Sequence, residues 1–161
     1  MREEEKLAGD VYLAMYDTSG LPIFQNIADA EQTHTTAVAA LLDQYQLPDP
    51  AEALAPGEFS NPDLQAFYDE LVEIGSQSAT DALRVGALIE ELDITDLRLR
   101  ASDQADTDRV YSTLERGSSN HLRAFNRQLK QRGVTYTPVH LDQDAFTEII
   151  NTPTGQGRQG R

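Results

Sequence analysis

The longest regular apolar stripe in this chain has two polar residues in it, and that interruption constrains the fold more than any other feature. The stripe is Ile27, Glu31, His34, Val38, Leu41 and Tyr45, in steps of 4, 3, 4, 3 and 4. Such spacing is the seam of an amphipathic helix packed in a bundle. A carboxylate buried there without a partner costs several kcal/mol, so neighbouring helices must supply groups that offset it. Glu-x-x-His on one helix face also aims a carboxylate oxygen and an imidazole nitrogen at one point. That is the ligand spacing of di-iron and di-manganese carboxylate bundles.

Apolar residues recur at three and four along most of the chain, and no sustained alternation suggests strands. The pattern predicts helices from about Arg2 to Tyr16, Pro22 to Tyr45, Pro62 to near Gly75, Gln77 to Ala101 and Asp108 to Arg132. Ser19-Gly20, Pro48 with Pro50, the polar stretch Asp103 to Thr107, and Gly133 separate or close them. Asn61 reads as an N-cap. A short helix is expected at Asp142 to Ile150, followed by a disordered tail, Asn151 to Arg161, which lacks apolar anchors. Four long helices in two short-turn hairpins, joined by a longer connection carrying a short helix, make an all-α four-helix bundle with one crossover. Residues 1–150 would form that single domain.

The other long helices carry comparable polar interruptions. The last one has the stripe Tyr111, Leu114, Ser118, His121, Phe125 and Gln128, with His121 placed as His34 is but with Ser118 three residues before it. The third offers Leu83, Gly86, Glu90, Asp93 and Leu97, and the first Glu5, Ala8, Tyr12 and Met15. Heights agree as well as faces. Glu5 and Glu31 are equidistant from Thr18, inside the first hairpin turn. Glu90 and Ser118 are equidistant from Gln104, inside the second. Each layer therefore lies 13 or 14 residues, about 20 Å, from its turn. One such residue alone reads as a surface pair or a hydrogen-bonded core histidine; several at one height read as a metal site. Glu3 and Glu4 read as first-turn acids favouring the helix dipole, Glu91 and Asp96 as solvated face. His140 has no neighbour at ligand spacing, and Tyr12 lies beside the proposed metals.

Composition removes several function classes. The acidic count is 27 against 13 basic, a formal net charge of −14 that repels nucleic acid and anionic lipid. There is no cysteine, which excludes disulfides, thiol catalysis, Cys-ligated zinc and iron–sulfur clusters. No apolar run approaches the roughly 18 residues of a membrane span. Only Lys6 and Lys130 are lysines; a lysine-poor acidic surface suits high salt, and a high-GC genome is the plainer source of the same composition.

The segments EEEKLAGDVYLAMY, FQNIADAEQTH, GALIEELDITDL and SSNHLRAF together resemble a ferritin-like domain family of unknown function related to rubrerythrin and erythrin. The likeness covers nearly the whole chain up to about Ile150 and implies a ferritin-like version of the bundle. The family's Glu-x-x-Ala-x-x-x-Tyr pattern falls on Glu5, Ala8 and Tyr12, its Glu-x-x-His on Glu31 and His34, and its second-half carboxylate on Glu90. The resemblance implies a di-iron centre reacting with dioxygen or hydrogen peroxide, with an external electron donor. It also implies that a signal peptide often precedes the domain, so that Met1 is a truncation point of a cytoplasmic or exported protein. One departure stands out: the usual second Glu-x-x-His is here Ser118-x-x-His121. Asp93, or less directly Glu115, replaces the missing carboxylate, or one metal position is weak.

The expected ligands are thus Glu5, Glu31, His34, Glu90, Asp93 and His121, with Glu5 and Glu31 in one half and Glu90 and Asp93 in the other. Tyr12 is the candidate catalytic residue. The expected cofactor is two iron ions, and manganese or zinc suits the same donors. The leading reading is a ferroxidase or a peroxide- or dioxygen-reducing oxidoreductase. The alternative is a module that binds metal without turnover, and a third reading is a metal-free hydrogen-bonded polar layer. Phe67, Leu71 and Ile74 read as apolar positions outside the four-helix core and predict a homodimer or larger assembly.

Overall fold

The computed structural model describes residues 1–100 and 104–153, and among these residues there are six helices and no strand. They are α1 (Arg2–Ser19), α2 (Pro22–Gln44), α3 (Pro62–Gly75), α4 (Ala79–Leu99), α5 (Ala105–Gln131) and α6 (Gln143–Asn151). The predicted helices are all present, with ends shifted by up to three residues. Arg100 closes α4, and Ala101 lies outside the described residues. Asn151 is the last residue of α6, and the Thr152 N–H and hydroxyl close that helix on Glu148 and Ile149 carbonyls. The rest of the predicted tail, 154–161, also falls outside the described residues.

Local chemistry sets the boundaries. Gly20 takes a left-handed conformation, φ 66°, and its N–H returns to the Tyr16 carbonyl to end α1. Pro22 starts α2 where a missing N–H costs nothing. Asn61, Ser78 and Asp142 cap α3, α4 and α6 by accepting from the backbone N–H of Asp63, Asp81 and Ala145.

The long helices close a ring: α1 packs along α2, α4 along α5, α1 against α4, and α2 against α5. The α2–α3 loop and α3 form the crossover, and α3 lies on α1 and α4. Glu3 holds that crossover. It is 9% exposed, and its carboxylate accepts from the Ser60 N–H and hydroxyl and from the Asn61 N–H. It is a tether rather than the simple dipole acid expected from its place in the first turn. Leu71 is 1% exposed and Phe67 packs against the core, so only Ile74, 45% exposed, remains of the three apolar positions expected to lie uncovered.

Tyr12, Phe24 and Phe125 stack around one another in the core with ring centroids 5.4–6.2 Å apart. Leu83, Ile94, Leu122 and Leu129 complete it. A smaller cluster of Val38, Leu97 and Leu114 lies apart from it. No helix among the described residues is long and apolar enough to cross a membrane.

Candidate metal centre

All four long helices contribute to one buried layer. α1 supplies Glu5, α2 supplies Glu31 and His34, α4 supplies Glu90, and α5 supplies His121. Glu5 and Glu90 are fully buried, Glu31 is 1% exposed, and the imidazoles are nearly covered. The side chains form two groups, Glu5–Glu31–His34 and Glu31–Glu90–His121, each with its donor atoms within 4.8 Å of one another.

Glu31 belongs to both groups, one oxygen to each. Its Oε2 lies 2.7 Å from His34 Nδ1, and its Oε1 lies 2.8 Å from His121 Nδ1. Glu5 Oε2 completes the first group at 3.2 Å from His34 Nδ1, and Glu90 Oε1 the second at 3.4 Å from His121 Nδ1. The imidazoles lie side by side, their centroids 5.7 Å apart. This differs from the expected division: Glu31 is shared, and Asp93 stands outside both groups, although it is only 6% exposed and close enough for Glu5, Glu90 and Glu31 to act on it electrostatically.

The imidazoles pair with Glu5 Oε2, both Glu31 oxygens and Glu90 Oε1, yet Glu5 Oε1, Glu90 Oε2 and Asp93 Oδ2 are buried with neither a hydrogen-bond nor an ion-pair partner. Each such oxygen costs about 1–3 kcal/mol, and the acid–histidine pairs leave that cost unmet. Buried carboxylate oxygens left over in such a layer are what a cation would satisfy. Two imidazole nitrogens and three carboxylates fit iron, manganese or zinc.

The charges are strongly coupled. Burial opposes a proton on each imidazole, but the facing carboxylates prevail and raise His34 to about 9 and His121 to about 10. Burial works to raise Glu31, yet its two imidazole neighbours hold it down at about 2. Burial lifts Glu90 to about 7, against the opposing charge of His121, and burial also raises Glu5 and Asp93.

Tyr12 sits behind the second group. Its hydroxyl donates to Glu90 Oε1 at 2.6 Å and, more weakly, to the Gly86 carbonyl at 3.4 Å. It therefore orients Glu90, and burial raises its own pKa. Ser118 is fully buried at the position that mirrors Glu31, but its hydroxyl donates back to the Leu114 carbonyl. Glu115 pairs with Arg98 and takes no part. Glu91, expected on the solvated face, is fully buried and binds the loop before α6. The Asp96 side chain is 42% exposed, on the solvated face read from the sequence, and His140 lies exposed in the loop before α6.

One contributor escaped the sequence reading. A Cβ on Gly117 would lie 2.5 Å from His34 Cε1 and Nε2, so only glycine lets α5 approach that ring. The signal available was a glycine inside a long helix, which costs about 1 kcal/mol relative to alanine. Gly117→Ala is therefore expected to keep or raise the melting temperature while weakening metal binding, because the ring must swing away from Glu5 and Glu31. Thermal melts paired with metal stoichiometry check this; unchanged binding would show that Gly117 does not set the ring's position.

A model for an uncharacterized protein domain, DUF2202, matches residues 1–153. The chain belongs to the DUF2202 family. This DUF2202 chain is 49% identical over 159 residues to the uncharacterized protein MJ0754 of Methanocaldococcus jannaschii, covering 98% of this chain and 86% of that protein. The crystal structure of hypothetical protein MJ0754 superposes with a TM-score of 0.93 at 49% identity, covering 96% of this chain and 90% of that one. The DUF2202 fold is thus an all-helical bundle, and the acid–histidine layer lies within the matched residues.

Proposed function

We propose that the protein is a ferritin-like two-metal carboxylate protein, related to rubrerythrin and erythrin, whose layer holds two iron ions and works as a ferroxidase or a peroxide- or dioxygen-reducing oxidoreductase. The observation that carries this reading is Glu31, with one oxygen in each ligand group. A carboxylate so placed suits a pair of cations about 3.5–4 Å apart. Glu5 and His34 would complete one position, Glu90 and His121 the other. Bound iron would supply the electrons that dioxygen or peroxide accepts; with no cysteine in the chain, those electrons must be replenished from outside.

The chain's own residues have definable parts. Glu31 holds both positions together. Tyr12 fixes the Glu90 carboxylate through its hydroxyl. The Tyr12–Phe24–Phe125 cluster packs beside the second group and keeps bulk water from Glu90. The test is anaerobic Fe(II) titration followed by oxygen or peroxide addition. Two iron ions per chain and stoichiometric oxidant consumption are expected. Tight binding without consumption would favour the second reading, a metal-binding or structural module. Ser118 favours that alternative, because it leaves the pair with one shared carboxylate instead of two.

Protons compete with metal at both Nδ1 atoms, the atoms that face the carboxylates. Metal binding is therefore expected to release protons, and affinity to fall as the pH is lowered. Calorimetry of Mn(II) or Zn(II) binding in buffers of different ionisation enthalpy measures that release. Binding with no proton release would count against histidine ligation.

A further inference from the structure

Glu90, Asp93 and Asp96 stand one turn apart on α4 and form a graded series. Glu90 is fully buried, Asp93 is 6% exposed, and the Asp96 side chain is 42% exposed. Beside them, between α1, α3 and α4, lies a cavity of about 190 Å³ with walls of Leu7, Leu64, Phe67, Ile89 and Leu92. Asp93 and Asp96 line it, and Glu4 of α1 faces them. The Asp93 carboxylate adds an independent observation: its Oδ2 is buried with no hydrogen-bond partner, although no ligand group includes it. At the rim, Arg100 Nη2 spans Glu4 Oε1 at 3.1 Å and Asp96 Oδ2 at 2.9 Å, a cation already resting on the outer carboxylates.

A second opening reaches the layer between α1 and α2, over Glu5 and Glu31, but it is smaller, about 70 Å³, and its one outer carboxylate, Asp10, is already paired with Lys6 at 2.5 Å. Low-dielectric walls attract a cation where they carry a carboxylate, and the wider α1–α3–α4 cavity presents one, Asp93, with an unpartnered oxygen.

We infer that the α1–α3–α4 cavity is the entry route for divalent cations, and that Asp93 is a relay carboxylate passing them from Glu4 and Asp96 to the buried layer. This rests on the reading that Glu5, Glu31, His34, Glu90 and His121 hold metal. A relay carboxylate has to meet the cation without belonging to its final coordination. Asp93 satisfies both conditions: it lines the cavity, and it is one helical turn from Glu90 yet outside both ligand groups. The apolar walls offer no competing oxygen ligands on which a cation would stall.

Stopped-flow uptake of Co(II) by the metal-free full chain, followed by the visible absorption of the bound ion, tests the route. Asp93→Asn is expected to slow uptake by about tenfold or more, within the range for electrostatic steering, and to leave final stoichiometry unchanged. Leu92→Trp, which fills the cavity, is expected to slow it likewise, whereas Gln32→Trp over the α1–α2 opening should not. Arg100→Ala should accelerate uptake by freeing the rim. Asp96→Asn keeps the test open if Asp93→Asn fails to fold, and should also slow uptake. Unchanged rates in the cavity variants would overturn the route. Lost stoichiometry in Asp93→Asn would make Asp93 a ligand instead. If the unmodified protein binds no Co(II), the metal reading itself falls, a result distinct from either.

Discussion

Replacing Glu31 with alanine is expected to abolish metal binding at both positions, whereas His34→Ala should abolish only one. The difference follows from the shared carboxylate. Removing His34 takes Nδ1 from the Glu5 group and leaves Glu31 Oε1, Glu90 and His121 as they were. Removing Glu31 takes an oxygen from each group and leaves each with one carboxylate and one imidazole. Outer-shell partners of metal ligands are worth about 10–100-fold in affinity; loss of a ligand common to both ions should exceed that. The checks are metal stoichiometry by elemental analysis and the thermal shift caused by added metal. For the unmodified protein, metal at about a hundredfold over Kd for both positions should raise the melting midpoint by about 10–20 °C. Glu31→Ala should show no such shift, and His34→Ala a smaller one. Equal occupancy in the two variants would refute Glu31 as the shared ligand, and two bound ions in Glu31→Ala would refute the site.

The helices and the existence of this layer were legible because the relevant signals are local. The α2 stripe shows Glu31 and His34 out of place from spacing alone, and counting outward from Thr18 sets Glu5 level with Glu31. The distribution of ligands was not legible. Asp93 follows Glu90 by three residues on the same stripe, so periodicity gives both the same claim. Their separation depends on α5 bringing His121 to Glu90 and on α3 leaving a cavity beside Asp93. The sharing of Glu31 is equally hidden, because it depends on a side-chain rotamer set by histidines on two helices. Ser118 made the second group look deficient in carboxylate. In the structure Glu31 reaches across from α2 with an oxygen 2.8 Å from His121 Nδ1, whereas Glu115 pairs with Arg98 and Asp93 stands outside both groups.

Glu3 and Glu91 mark a second kind of limit. Each follows the helical period as an ordinary acid, and nothing nearby in sequence accepts or donates to it. Their partners lie far along the chain: Ser60 and Asn61 for Glu3, and 136–141 for Glu91. Long-range capping of loop N–H groups by a helix carboxylate leaves no periodic signature. Neighbouring acids on α4 therefore have separate purposes, Glu90 facing the acid–histidine layer and Glu91 facing the C-terminal loop.

That second purpose supports a large expected effect on stability. Glu91 Oε1 accepts from the Tyr136 hydroxyl, and Oε2 accepts from the backbone N–H groups of Val139, His140 and Leu141 at 2.8–2.9 Å. Three successive N–H groups around one buried oxygen form an anion-holding concavity. Hydrogen bonds to a charged group contribute about 1.5–3 kcal/mol each, though not additively. Glu91→Ala removes all four and leaves the Leu141 N–H buried without an acceptor. The expected loss is about 3–5 kcal/mol, by analogy with breaking a buried charged pair, or a fall in melting midpoint of about 6–20 °C for a chain of this size. The loop and α6 should loosen first, since among the described helices α6 packs on α5 alone. Hydrogen exchange at 139–141 should then rise well before exchange in α4 and α5. Glu91→Gln, which keeps the size and one acceptor oxygen, should fall between. A loss below about 1 kcal/mol in Glu91→Ala would mean that Leu141, Phe146 and Ile149 hold this end of the chain by packing alone.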